Sequence, residues 1–202
     1  MQGDYDAHRK AVEAAGGESF LVRTPDDVVD ADALILPGGE STTIGKLLAR
    51  YGLDTAIADA ARAGKPVFGT CAGMILLAKQ IVRGEKRGGQ PTLGLMDIAV
   101  ARNAFGRQVD SFETDLAAPR ITGENGGALR AVFIRAPTIE EAGPGVEILA
   151  RVDDKPVLAR ENNLLAATFH PELTADDRVH RYFLKMVEEH QGDHGSETPP
   201  CC

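Results

Sequence analysis

The sequence predicts an α/β fold: a central, mostly parallel sheet with helices on both faces and a small antiparallel extension. Two observations carry this. Through residues 4–82, helical patterns alternate with short apolar runs, the order that builds parallel sheets. From about residue 92 the runs become short strands separated by turn residues, which predicts a mixed or antiparallel addition.

Taken in order, "DYDAHRKAVEAA" (4–15) reads as a helix with Val12 and its alanines inward, stopped by Gly16-Gly17. "SFLVR" (19–23) reads as a strand. "ADALILPGG" (31–39) is a continuous apolar run ending in Pro-Gly-Gly, the pattern of a strand covered on both faces. Helices are expected at "TIGKLLARY" (43–51) and "DTAIADAARAG" (54–64), the second opening on an Asp cap and closing on Gly64. "PVFG" (66–69) is the next buried strand, and "AGMILLAKQIV" (72–82) the helix after it. Further strands are expected in "LGLMDIAVAR", "DSFETDLA", "ALRAVFIRA", "VEILARVDD", "KPVLAREN" and "LLAATFH". "ADDRVHRYFLKMVEEH" (175–190) is a closing amphipathic helix with Val179, Phe183, Met186 and Val187 on one stripe. The expected organisation is a single domain over 1–190 and a disordered tail over 191–202, "QGDHGSETPPCC", which has no apolar periodicity.

Composition narrows the function. Hydrophobic residues make up 43% and charged residues 26% of 202 residues, an ordinary globular balance. With 22 Lys+Arg against 30 Asp+Glu the net charge is −8, which argues against nucleic-acid or anionic-membrane binding, since both demand a basic face. No apolar run approaches the ~18 residues of a membrane span, and no signal peptide is read at the start, so a cytoplasmic address is expected. Three cysteines, two at the extreme end, suggest no disulfide framework.

Three loops after expected strands carry unusual residues. Gly69-Thr70-Cys71-Ala72-Gly73 has the form of a nucleophile elbow, where flanking glycines relieve collisions at a sharp strand-to-helix turn. The helix behind it supplies positive potential and leaves the Ala72 N–H for a developing oxyanion. "FHPE" places His170 and Glu172 after a strand, a base and the carboxylate to orient it. "LPGGES" (36–41) offers backbone N–H groups beside Ala72, with Glu40 and Ser41 as polar contacts for an amino acid. Each alone has a plainer reading: a buried core cysteine, a capping histidine with a solvated glutamate, an ordinary tight turn. Together they point to acyl transfer from an amide or ester. His8, His180, His190 and His194 fall in helices or the tail, where solvent-facing positions are expected. No metal or organic cofactor is expected, because the Cys and His spacing fits no zinc pattern and no Walker loop appears.

"LILPGGESTTIGKLL", "GTCAGMILLAK", "ARNAFGRQVDSFE", "FIRAPTI" and "ATFHPE" together resemble the glutaminase subunits of pyridoxal 5′-phosphate synthases, from Gln2 to about Val187. The resemblance implies a three-layer, flavodoxin-like class I glutamine amidotransferase fold. It implies a Cys71-His170-Glu172 triad, with Gly39 and Ala72 as oxyanion donors. It also implies glutamine binding by Gly39, Glu40, Ser41, Arg102 and the Ile134-Arg135 backbone region; read without it, both arginines are surface residues. L-glutamine would be hydrolysed to glutamate and ammonia, and the ammonia passed to a synthase subunit that builds the cofactor, which is the complex's product. Family members begin with a short apolar strand before "QGD", so the resemblance also implies an inner strand that this sequence, beginning Met1-Gln2-Gly3-Asp4, lacks. Two alternatives stand beside this one: a related cysteine hydrolase such as a γ-glutamyl peptidase, and a truncated, non-catalytic partner of the synthase.

Overall fold

The computed structural model describes residues 4–84, 89–102 and 111–194. Gln2-Gly3, most of "RNAFGRQVD" and the tail beyond 194 lie outside them. The helices are α1 (Tyr5–Ala14), α2 (Pro25–Asp30), α3 (Ser41–Arg50), α4 (Leu53–Arg62), α5 (Ala72–Leu77), α6 (Pro119–Thr122) and α7 (Arg178–His194). The strands are β1 (Leu34–Leu36), β2 (Val67–Thr70), β3 (Ala78–Arg83), β4 (Met96–Ala101), β5 (Ser111–Leu116), β6 (Leu129–Ile134), β7 (Thr138–Ala142), β8 (Glu147–Val152), β9 (Lys155–Glu161) and β10 (Leu164–Ala167).

The main sheet has the order β1-β2-β10-β9-β8. β1, β2 and β10 run parallel, and β9 and β8 continue it antiparallel. A three-stranded sheet, β3-β4-β7, and the β5-β6 hairpin complete the described strands. Because side chains alternate across a strand, the central strands feed two separate cores. Val67 and Leu164 join Leu36, Leu48, Ile57 and Met74 on the face covered by α2–α5. Phe68 and Leu165 join Phe133, Phe169, Phe183 and Met186 on the face covered by α7. The α/β expectation holds, with β2 and β10 side by side at its centre.

Four local expectations are corrected. Ser19–Arg23 is not a strand: Phe20 and Leu21 are 55% and 41% exposed, and among the described residues no ladder partner reaches them. That segment and β1 flank a groove of about 730 Å3 lined by Val22, Ile35, Ile57 and Phe183 among others. Among the described residues the groove-side edge of β1 is unpaired. The helix expected over 72–82 stops at Leu77, where Ala78 turns extended (φ −62, ψ 144) and β3 pairs in parallel with β4; tertiary pairing overrides the local helical pattern. The cap of α4 is Gly52, in the left-handed region at φ 69, while Asp54 sits inside the first turn and accepts from the Thr55 N–H at 2.8 Å. The closing helix begins at Arg178 and runs on to His194. β7 and the short α2 and α6 carry no apolar run that would have marked them.

The packing of α5 against β1 sets a tight steric limit at the site. A Cβ on Gly73 would lie 1.9 Å from the Leu36 carbonyl oxygen, and one on Gly69 would lie 2.6 Å from the Gly73 carbonyl carbon. Gly73→Ala is therefore expected to cost about 3 kcal/mol in urea unfolding. Gly192→Ala, in open space on α7, should be neutral or slightly stabilising.

Candidate active site

Parallel strands deliver their loops to one end of the sheet, and adjacency of β2 and β10 does the essential work here. Cys71 follows β2 and its N–H donates to the Ala167 carbonyl at 2.8 Å, locking it to the end of β10. Its backbone is strained, with φ 48 and ψ −100, as a sharp strand-to-helix elbow requires. His170 and Glu172 follow β10, the latter within a 3-10 turn, Pro171–Leu173. The His170 N–H donates to the Val132 carbonyl at 2.8 Å, which fastens this loop to β6.

These three residues meet. His170 Nδ1 lies 2.8 Å from Glu172 Oε1, and Cys71 lies close enough to the His170 side chain to act on its charge. A carboxylate can only accept, so Nδ1 carries the proton given to Glu172 and Nε2 is the nitrogen available to the thiol. All three are buried: Cys71 and His170 are 8% exposed and Glu172 7%. Burial opposes a charged His170, but the hydrogen bonds and charges of Cys71 and Glu172 outweigh it and push its pKa up to about 10. Burial likewise opposes ionised Glu172, yet the His170 hydrogen bond and the neighbouring imidazoles hold its carboxyl below the usual range. The arrangement can hold a thiolate beside an imidazolium, with a carboxylate fixing the ring.

The glycine loop sits against this relay. A Cβ on Gly38 would fall 2.4 Å from His170 Cε1, so the imidazole rests directly on the loop. Gly39 has φ 143, open to glycine alone. Glu40 is the N-cap of α3: its Oε2 accepts from the Thr43 N–H at 2.9 Å and the Thr43 hydroxyl at 2.7 Å. Arg102 reaches the same carboxylate, Nη2 to Glu40 Oε1 at 3.2 Å, and also donates to Gln90 Oε1 and to Thr42 Oγ1. Its side chain is only 11% exposed, which corrects the bare reading of a surface arginine. Ser41 is buried at the start of α3, and Ala72 opens α5, where backbone N–H groups lack intrahelical partners. Ile134 and Arg135 stand at the end of β6, two and three residues past the carbonyl that holds His170, and Arg135 has φ 43. Arg135 is exposed, and among the described residues no hydrogen bond joins its side chain to the triad.

The sequence misplaced two histidines. His8 and His180 are 3% and 0% exposed, not solvated. His8 Nδ1 lies 3.1 Å from His180 Nε2, and His8 Nε2 lies 3.0 Å from Thr70 Oγ1 and 3.4 Å from Glu172 Oε2. Spacing held the signal: His8 precedes buried Val12 by four residues, and His180 precedes Phe183 and Val187 by three and seven. Burial lowers the pKa of His8 and, aided by repulsion from His8, brings that of His180 down to about 4.

A thiol elbow, a carboxylate-backed imidazole and a glycine loop thus come together at the carboxyl ends of adjacent parallel strands, the arrangement the sequence reading associates with acyl transfer. The comparisons make it particular. A family model described as the SNO glutamine amidotransferase family matches residues 1–189, and the chain belongs to that family. It is 57% identical over 185 residues to "Pyridoxal 5'-phosphate synthase subunit PdxT" of Pelotomaculum thermopropionicum, covering 92% of this chain and 91% of the relative. It is 53% identical over 192 residues to the protein of the same description from Parafrankia, covering 95% and 92%. A solved structure described as a glutamine amidotransferase superposes with a TM-score of 0.85 at 48% identity, covering 93% of this chain and 95% of that one. PurLQS from Thermotoga maritima, TM-score 0.63 at 21% identity, shares the fold.

The buried histidines predict a pH dependence of stability. His180 has a folded-state pKa of about 4 against an ordinary value of 6.5, so between these values the unfolded chain binds a proton that the native chain does not. Its contribution is whole above pH 6.5 and declines as pH falls toward 4, reaching a loss of about 2 kcal/mol by pH 5. Urea midpoints at pH 7 and pH 5 should separate more for the parent than for His180→Asn.

Proposed function

We propose that this chain is the glutaminase subunit of a pyridoxal 5′-phosphate synthase, hydrolysing L-glutamine and delivering ammonia to the synthase subunit. The observation that carries the reading is the Cys71-His170-Glu172 relay, anchored by the 2.8 Å contact between His170 Nδ1 and Glu172 Oε1. The family membership and the descriptions of its relatives support the substrate and the partner.

In this mechanism the Cys71 thiolate attacks the carboxamide carbon of glutamine, and the carbonyl oxygen becomes an oxyanion facing the N–H groups of Ala72 and Gly39. His170 gives its proton to the departing nitrogen, and ammonia leaves as the C–N bond breaks. A water then gives a proton to His170 and attacks the thioester, which releases glutamate and restores the Cys71 thiolate beside the imidazolium. Glutamine is held by Gly39, Ser41, the Ile134-Arg135 backbone and the Glu40–Arg102 pair. The ion pair braces the loop as well as lining it, since both side chains are engaged with α3. Nothing in this chemistry requires a metal or organic cofactor of the chain itself.

A cytoplasmic address belongs to the same reading, because the chemistry needs Cys71 as a free thiol. No described helix is long and apolar enough to cross a membrane. In this reading the domain spans residues 1–190, with the last turn of α7 running past that bound to His194.

Glutamate release from glutamine, measured with and without the synthase subunit, tests the reading. Cys71→Ala should reduce turnover at least ~1,000-fold while leaving subunit binding intact, and His170→Asn should cost at least ~100-fold. Glutamate release persisting in Cys71→Ala overturns the mechanism. Cleavage of γ-glutamyl peptides in preference to glutamine would favour the peptidase. Arg102→Met should raise KM about tenfold with a smaller effect on kcat, because it frees the loop rather than the reacting atoms.

A further inference from the structure

We propose that His8 is a positioning residue for the triad, held in place by His180, and that it sets the spacing of Cys71 and His170. The inference rests on the glutaminase reading and adds a residue to that site.

The argument starts from connectivity. His8 Nε2 is shared between Thr70 Oγ1 at 3.0 Å and Glu172 Oε2 at 3.4 Å. Thr70 is the residue before Cys71 at the end of β2, and Glu172 orients His170 after β10. One imidazole, carried on α1, therefore touches both loops that must meet for the thiol and base to face each other.

Tautomer logic gives the contact a direction. Glu172 can only accept, so Nε2 of His8 bears a hydrogen. In neutral His8 the other nitrogen, Nδ1, then accepts, and His180 Nε2 must donate across 3.1 Å. Glu172 thus faces the His170 N–H on one oxygen and the His8 N–H on the other. The 3.4 Å contact is too loose to count as a full hydrogen bond, and Glu172 Oε2 has no closer partner among the described residues. The His8 N–H approaches that oxygen at 3.4 Å, and the Glu172 side chain is fully buried, so its removal takes a donor from a carboxylate that water does not reach.

The surroundings keep the arrangement dry. Phe68 stands edge-on to both rings, with centroids 6.3 Å from His8 and 6.0 Å from His180. The titratable groups acting on the pair are Glu172 and His170 from the loop after β10, Asp177 beside α7, and Asp4 at the start of α1. Burial favours the neutral form of both imidazoles, so His8 acts on Glu172 through its N–H dipole rather than as a charge. A leucine would fill such a core position at less desolvation cost. A histidine pair there has a use in fixing the carboxylate that fixes the base.

The test compares His8→Leu, which removes the donor, with His8→Gln, whose amide restores one. Two readouts are taken on the complex with the synthase subunit: glutamate release, and the rate of Cys71 alkylation by iodoacetamide against pH, followed by mass spectrometry. His8→Leu is expected to lower kcat about tenfold with KM within about twofold. The pH of half-maximal alkylation should move up by about one unit, because a poorly held carboxylate supports the imidazolium less well. His8→Gln should recover most of both. If His8→Leu does not fold, Thr70→Val reads the same coupling from the Cys71 side. A folded His8→Leu or Thr70→Val with parent-like kcat and alkylation profile overturns the proposal. So does a loss in His8→Leu that His8→Gln fails to rescue and that leaves the alkylation profile unmoved, since that is packing alone. A parent complex that releases no glutamate, yet shows the alkylation shift in His8→Leu, rejects the glutaminase reading and leaves the positioning role standing.

Discussion

A carboxylate taken out of water costs several kcal/mol unless donors and positive charge replace its hydration, and the Glu172 side chain is fully buried. Much of the molecule is arranged around that requirement. The loop after β10 brings His170 to one oxygen at 2.8 Å, and α1 brings His8 toward the other. The second core, built on Phe68, Phe133, Phe169 and Phe183, excludes water from the same region. The electrostatics that raise His170 and lower Glu172 are thus consequences of packing as much as of the pair itself.

The elbow obeys a steric rule of the same kind. Cys71 is held at φ 48 because the chain must turn from β2 into α5 without leaving the sheet, and α5 lies so close to β1 that only glycine fits at 73. The strain is tolerated because the Cys71 N–H is tied to β10 and the apolar side chains of α5 are wholly buried. Removing a single methyl's worth of freedom at 69 or 73 therefore reaches the thiol directly. Core packing and catalytic geometry are here one constraint.

The sequence disclosed the parts of the fold that depend on local pattern and missed those that depend on partners. "PVFG" and "LLAAT" were readable as buried strands because continuous apolar runs between turn signals have few other uses. "SFLVR" looks the same but pairs with nothing described, and residues 78–83 look helical but are claimed by β4. At the site, Cys71, His170 and Glu172 were legible from glycine flanks and a three-residue span. His8 and His180 were not, since one histidine on a helix is indistinguishable from a solvated one until the facing element is known. Their positions on the apolar stripes of α1 and α7 were the available clue. Glu40 was seen as a polar group of the loop, but its role as the cap of α3 and its tie to Arg102 required the helix start and the distant strand end to be placed together.

The contact between Gly38 and the His170 ring has a mechanical meaning. Cys71 is only 8% exposed, and the loop that carries Gly38 lies beside it against His170. That loop also forms part of the seat of the imidazole. A shift of that loop would therefore disturb the imidazole and the approach to the thiol together, since one segment borders both.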